Sequence, residues 1–472
     1  MLAKLTKDDL FFIQSILELT GVINMVRRSS LWLLFILFTI TCTAANGQSE
    51  KRIIYLSWKN VVDISLKDNL SLKSKSLDYE IQNLETWKSL SYFLPSLNYQ
   101  SIIQKNVELP VFVFMGQQFT VGSPYNFQHS FSLSFPIFTG GSRWFNYEIQ
   151  KDIKKSLSEE LKGKEEETVL NSMQAYYGII LADELSKSAE EAVKVAKANL
   201  QQVQKFYDAG TATEFDLQRA KAQYSSTLPM LESALSNKKL SVQRLKSLLN
   251  IPLTDSLVVV DSLDKTEFLN EYSKMSLEDL KMLSKENRND VKALLYQKEA
   301  AKSGEEIALG KFTPTVAIAA SVDHAAQLDN AKVRWSDYIR SKSVALSLSL
   351  PLFEGGRKIL DYQIAKIKSE QMELLVKQAE FGADLDVEQN YYNFVEASKS
   401  LQSLKDALDQ YKESLRISNL LYSQGMSNQL DVLNAQLLYS KSKSDYLQGI
   451  FNYNVSQLAL LKSIGLLDSV WK

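Results

Sequence analysis

One cysteine and two histidines in 472 residues leave no material for disulfides, a cysteine–histidine zinc site or a nucleophile–imidazole pair. Turn-forming residues are scarce as well. The 17 glycines and 8 prolines make about 5% of the chain, where average usage is roughly 12%. Few breakers mean few turns, and so long uninterrupted elements. Neither sign of charge is in excess, with 54 Lys and Arg against 55 Asp and Glu. That balance rules out nucleic-acid binding driven by overall positive charge, and a disordered polyelectrolyte too. Enzymatic motifs fail on inspection. Gly304 to Phe312 imitates a phosphate-binding loop, but five residues separate Gly304 from Gly310 where four are needed, and Phe312 stands where Ser or Thr should hold magnesium. No His-Glu-x-x-His or Gly-x-Ser-x-Gly is present. His129 lies on the apolar side of an alternating segment, where a lipid edge is its expected place; His324 follows Asp323 and is expected in an exposed loop. The expectation is a protein with no catalytic residue, cofactor or metal, and no nucleic-acid partner.

Residues 25–48 begin Met25-Val-Arg-Arg-Ser-Ser, run through apolar Leu31 to Ile40 and end in small and polar residues, the pattern of a secretory signal peptide. The apolar run is shorter than the about 20 residues that a bilayer-spanning helix needs. Cleavage is expected after Ala45 or Gly47. Cys42 follows Thr41, where a lipid-anchor site prefers Gly or Ala, so lipidation is not expected. Residues 1–24 do not fit this pattern and read as an upstream extension, with Met25 as the initiator. After residue 48 no apolar run approaches transmembrane-helix length. The chain reads as exported, yet not as a helical membrane protein.

The remainder is one unit used twice. Phe135-Pro136-Ile-Phe-Thr-Gly140-Gly141 recurs 215 residues on as Leu350-Pro351-Leu-Phe-Glu-Gly355-Gly356. Tyr176-Tyr177 recurs as Tyr391-Tyr392, Phe206-Tyr-Asp-Ala-Gly210 as Leu421-Tyr-Ser-Gln-Gly425, and Asp216 as Asp431. Upstream, Leu94-Pro95 answers Thr313-Pro314 at an offset of 219, and a loop absorbs the difference. Behind an N-terminal extension and signal peptide at 1–47, the units are residues 48–262 and 263–472, with a linker near Asp255 to Glu271. Each reads helix, strand, loop, strand, long helix, tight turn, long helix. Strands are expected at about 96–107 and 126–138, then about 315–323 and 342–352; long helical hairpins at about 141–250 and 357–466. The prolines and paired glycines mark the strand-to-helix junctions.

In the second strand Phe127, His129, Phe131, Leu133, Phe135 and Ile137 alternate with Gln128, Ser130, Ser132 and Ser134; its repeat sets Val344, Leu346, Leu348 and Leu350 against Ser343, Ala345, Ser347 and Ser349. Period-two alternation suits a strand with one apolar and one polar face. An ordinary soluble sheet fits that, and so does a transmembrane β-strand between lipid and water. Helix length favours the second reading. From Gly141 the helical pattern runs to about Tyr207, roughly 100 Å at 1.5 Å per residue. A small sheet cannot bury one face against helices that leave it end-on. Along these helices apolar residues such as Met173, Tyr176, Ile180, Leu200 and Val203 recur at three- and four-residue steps, a coiled-coil-like stripe. Pro229 should kink the first returning helix. At the turns, Gly210 and Gly425 suit a left-handed helix terminus. Thr213 and Asn428 are N-cap candidates, each with an acid at N3, Asp216 and Asp431. Capping accounts for both acids without any function.

Taken in their order and twofold spacing, these motifs resemble the TolC-like outer membrane efflux protein family, together with Asp431-Val-Leu-Asn434-Ala at the second turn and Asn287-Arg288-Asn289-Asp290 opening the second unit. The resemblance implies a mainly α fold with a small β part. Two tandem helical hairpins and four transmembrane strands per chain would assemble as a homotrimer, with a 12-stranded β-barrel in outer membrane lipid continued by an α-helical barrel across the periplasm. It implies a passive exit duct of a tripartite efflux or type I secretion system, docked on a periplasmic adaptor (membrane fusion) protein and an inner membrane transporter. Carried over residue by residue, the acidic periplasmic constriction falls on Asp431 and, one turn on, on Asn434, so that one of two acidic rings is missing. Gly210, Thr211, Gly425 and Met426 fall where relatives touch the adaptor. The rival reading is a soluble periplasmic coiled-coil scaffold or adaptor without a channel.

Overall fold

The computed structural model describes residues 52–472. The expected signal peptide, Met25 and Cys42 lie outside the described residues. In chain order the elements are β1 (Ile53–Leu56), α1 (Trp58–Asp68), α2 (Leu70–Ser91), β2 (Ser96–Lys105), β3 (Val111–Phe114), β4 (Gln117–Thr120), β5 (Tyr125–Thr139), α3 (Ser142–Asp208), α4 (Glu214–Leu248), β6 (Ser256–Val259), α5 (Leu277–Asn287), α6 (Asn289–Gly310), β7 (Thr315–Leu328), β8 (Ile339–Ser349), α7 (Arg357–Ser423) and α8 (Gln429–Ser463).

The two long helices are equal, 67 residues each, and so are their returning partners at 35 residues. A return of half the length leaves the other half of each long helix uncovered on that side. There α2 packs on α3, α3 on α6, and α6 on α7. Helix α4 runs unbroken through Pro229. Among the described residues no helix is long and apolar enough to cross a membrane.

The core forms a belt where the half-length and full-length helices meet. Tyr176, Met173, Leu56, Leu280, Leu458 and Ile464 are almost completely buried there. The Tyr176 hydroxyl donates to Asp261 Oδ2 at 2.7 Å, and the same oxygen accepts from the Trp58 amide at 3.0 Å. Two fully buried amides on α8 hold the linker. Asn454 Nδ2 donates to the Asp264 carbonyl and Gln457 Nε2 to that of Thr266, both at 2.8 Å, while their side-chain oxygens accept from the Thr266 and Phe268 amides. The linker is thus a packed strap, and its strand β6 pairs with β1. Neither of these two short strands was expected from the sequence.

Four strands form one antiparallel sheet in the order β2–β5–β7–β8. Two strands differ from their expected bounds by three residues or more. β7 continues beyond 323 to Leu328, because Asp323 and His324 both fit the pleat: Asp323 accepts hydrogen bonds from Ser130 and Ser321, while His324 stands between His129 and Arg340. His324 is therefore a strand residue, not part of an exposed loop. β8 spans 339–349 and not 342–352; Pro351 has no N–H to give a ladder. In the first unit Pro136 stays inside β5 at a register shift between Pro136 and Phe138. The loop between β2 and β5 carries an additional hairpin, β3–β4, turned by Met115 and Gly116 at positive φ.

Candidate functional site

Cross-strand register sorts the sheet into two faces. Leu97 pairs with Leu133 and Leu133 with Ala320, which pairs with Val344; Phe135 pairs with Ile318 and Ile318 with Leu346. The opposite face carries Asn98, Ser132, Ser321 and Ser343 in one row. Toward the helices one face is apolar, and the other is serine-rich. Neither end of the sheet is closed: β2 and β8 each have one partner, and every residue of both strands is exposed. The same two flanks are open among the helices. On the α2 side Leu77, Ile81, Leu84 and Trp87 are exposed, and on the α7 side Ile364, Ile367, Leu374 and Phe381.

Each long helix starts from a left-handed glycine, Gly141 at φ 78° and Gly356 at φ 80°. Their neighbours differ. Gly140 and Gly310 lie backbone against backbone, so that a Cβ on either would overlap the other's carbonyl oxygen, whereas Gly355 and Gly356 face open space. Pro351, outside the strand, offers its carbonyl to Lys358 Nζ at 2.7 Å.

The two helical turns share one construction. Gly210 (φ 75°) and Gly425 (φ 72°) end α3 and α7; the Thr211 amide reaches the Phe206 carbonyl at 2.8 Å and the Met426 amide the Leu421 carbonyl at 2.9 Å. Thr213 and Asn428 cap the returning helices, accepting from the Asp216 and Asp431 amides at 3.1 Å each, and both acids reach back to the cap amide. The hydrogen bond from Thr213 holds the Asp216 carboxyl below its ordinary range. Asp431 and Asn434 are both exposed on α8, three positions apart and so on one helix face. Met426 is 68% exposed. Phe206 and Tyr422 meet edge-on at 6.2 Å, tying the first turn to the second. The two residues recur in neighbouring positions of the repeat, but their contact was not foreseen.

A cleft of about 600 Å³ opens in the helical belt, lined by Lys75, Asp78, Glu159, Glu166, Arg288 and Asp386 among others. Arg288 bonds Asp290 through Nε and Nη2 at 3.0 and 2.7 Å, and Asp386 and the Ser463 carbonyl through Nη1 at 2.7 and 3.2 Å. Burial raises the Asp290 carboxyl, but the Arg288 guanidinium bonded to it outweighs this and holds it below its ordinary range. Glu166 is 6% exposed. Burial, with Asp468 nearby, pushes its carboxyl up from 4.5 to about 7. A carboxyl raised in this way is neutral in folded and unfolded chains below about pH 4.5; its cost to the fold builds as pH rises from there to about 7 and is fully present above. Glu166→Gln should therefore match the parent near pH 4.5 and be more stable by about 2 kcal/mol near pH 8. Thermal unfolding at both pH values checks this, and an equal shift at both would show that Glu166 titrates normally.

The sequence profile of the family described as Outer membrane efflux protein matches residues 95–250 and 282–466. The chain is 24% identical over 317 residues to Outer membrane protein TolC of Escherichia coli (strain K12), a match covering 64% of this chain and 62% of that one. It is 24% identical over 268 residues to Nodulation protein T of Rhizobium leguminosarum bv. trifolii, covering 56% and 54%. It thus spans less than two thirds of either relative. Among solved structures, the Campylobacter jejuni CmeC outer membrane channel superposes with a TM-score of 0.76 at 18% identity, over 87% of this chain and 86% of that one. A membrane protein from Pseudomonas aeruginosa gives 0.75 at 18%, over 89% and 98%. The likeness gives the fold, that of outer membrane channels with long periplasmic helices. The chain belongs to the outer membrane efflux protein family, a transport family, and its place is the outer membrane with its helical hairpins extending into the periplasm.

Proposed function

We propose that three copies of this chain close one 12-stranded barrel, continued by a helical tube, and that the assembly is the exit duct of a tripartite efflux or type I secretion system. The observation that carries this reading is the four-stranded sheet with one apolar face and two unpaired edges. Each unpaired backbone group in hydrocarbon costs several kcal/mol, so such a sheet must close on other copies. Two copies give eight strands and an interior filled by side chains; three give twelve and leave a bore. The serine-rich face lines that bore. The apolar flanks of α2 and α7 meet between copies below the sheet, in the same order as β2 and β8.

At the periplasmic end the turns carrying Gly210, Thr211, Gly425 and Met426 meet a periplasmic adaptor, which links the duct to an inner membrane transporter. Asp431, with Asn434 one turn on, forms the constriction, a single acidic ring. Adaptor binding favours an open arrangement of the turns, and the energy comes from the partner pump. The rival, a soluble scaffold, predicts none of the membrane behaviour. The protein purified in detergent should run as a heat-labile trimer and conduct in planar bilayers. Asp431→Ala should weaken divalent-cation block of that current several-fold. A monomer soluble without detergent would end the duct reading, and unchanged block would remove Asp431 from the constriction.

A further inference from the structure

The four strands of the main sheet contain three cations, Lys105, Arg340 and Lys342, and one acid, Asp323. Register puts all three cations on the apolar face. Lys342 pairs with Val322 and Val322 with Phe131; Arg340 pairs with His324 and His324 with His129; Lys105 pairs with Tyr125. Asp323 stands on the serine face, opposite Ser130 and Ser341. The cations are also confined in depth. All three lie at the end of the sheet remote from the helices, which is the outer end. Below Lys342, the exposed Val344, Leu346 and Leu348 carry the apolar face inward. From Arg340 to the strand's end at Ser349, nine residues at about 3.3 Å each in a strand tilted by about 40° rise about 23 Å, close to the height of about 25 Å of the apolar band of an outer membrane barrel. Arg340 and Lys342 therefore stand on its outer border, where a lipid-facing charge is tolerated only if a headgroup meets it.

Aromatic groups build up the same border. His129 is held between the hydroxyls of Tyr99 (2.9 Å) and Tyr338 (3.0 Å), and Trp335 stacks on His324 at 5.3 Å. Tyrosine and tryptophan rings place a barrel at the interface but bring no positive charge. The cations do, and no carboxylate of the sheet shares their face. Closure of the barrel as proposed above sets β8 beside β2 of the next copy, antiparallel, so Lys105 of the partner subunit joins Arg340 and Lys342 at the seam.

We infer that Arg340 and Lys342, completed across the seam by Lys105 of the partner subunit, bind the phosphate groups of an outer-leaflet phosphoglycolipid of the lipid A type. An anionic phospholipid of the inner leaflet would need its cations at the helical end of the sheet. Guanidinium and ammonium groups one pleat apart reach two phosphate oxygens, or two phosphates of one headgroup, from the same face. The inference rests on the barrel reading. Its test uses the detergent-purified assembly, with bis-phosphorylated lipid A, dephosphorylated lipid A and inorganic phosphate as probes in native mass spectrometry. The intact protein should retain bis-phosphorylated lipid A at least tenfold more than the dephosphorylated form, with millimolar phosphate failing to displace it. The double variant R340Q/K342Q should lose that preference while keeping trimer and conductance. Equal retention of both lipids by the intact protein would overturn the inference without any variant, and so would displacement by free phosphate or an unchanged preference in the double variant. Absence of trimer and conductance from the intact protein would instead overturn the barrel reading.

Discussion

Gly310→Ala should destabilise the protein by about 3–5 kcal/mol. Gly310 ends α6, and its carbonyl accepts from the Thr313 amide and hydroxyl at the turn into β7. Gly140, at φ 65°, follows β5 just before α3. The two backbones touch here, so the strand-to-helix junction of the first unit rests on the helix-to-strand junction of the second. A methyl on Gly310 overlaps the Gly140 carbonyl oxygen; on Gly140 it would also come within 2.6 Å of Thr313 Oγ1. Backbone atoms cannot swing aside as side-chain ends do. Relief requires moving α3 from α6 at the point where β5 and β7 are in register, beyond the about 1–3 kcal/mol of ordinary overpacking. Gly355→Ala isolates the other contribution. Gly355 has φ 62° and no atom near its absent Cβ, so its substitution should cost only the about 1–2 kcal/mol of a left-handed alanine. Denaturant unfolding of the three proteins checks the order. A Gly310→Ala cost below that of Gly355→Ala would mean that the junctions are not in contact.

That contact shows where sequence reasoning reaches and where it stops. The strands and long helices are legible because their signals are local: period-two alternation around Leu133 and Leu348, apolar steps of three and four around Tyr176, and glycine followed by a cap and an acid at each turn. Repetition 215 residues on supplied a second reading of each. The missed features are partnerships between distant segments. β1 and β6 are four residues each and too short to carry a period, and each exists only because the other lies beside it. The strap is held by Asn454 and Gln457, whose side chains look like ordinary polar positions of a long helix until their partners at 264–268 are known. His324 reads as a loop residue because Asp323 breaks the apolar run, but on a two-faced strand the acid belongs to the other face. The turn residues were found as caps from spacing alone; nothing in that spacing points to a partner protein.

Arg288→Ala should cost about 3 kcal/mol at neutral pH, through the one guanidinium that joins the opening of the second unit to α7 and to the chain's end. Its side chain is 16% exposed. Removal leaves the Asp386 carboxylate, the Asp290 carboxylate and the Ser463 carbonyl without their shared donor. A fully buried pair broken on one side costs about 3–5 kcal/mol. Asp386 and Asp290 are about half exposed and water partly replaces the lost bonds, which places the cost at the lower end. Arg288→Lys should recover less than half of it, since one ammonium cannot span three acceptors set in different directions. The pH dependence identifies the cause. Arg288 holds the Asp290 carboxyl below its usual range, so this stabilisation is complete above the unfolded carboxylate value of about 4 and is lost as pH falls through the lower folded value. The gap between parent and Arg288→Ala should then narrow on acidification below about pH 4, while the packing part of the loss stays. Gly465 makes the site stricter still. At φ 72° its backbone lies so close to Arg288 that a Cβ there would meet the Arg288 amide nitrogen at 2.7 Å, so the chain's end cannot move in to fill the space left by the guanidinium. Unfolding free energies of parent, Arg288→Ala and Arg288→Lys across this pH range decide the matter: a cost that does not change with pH would make Arg288 a packing residue whose charge is incidental.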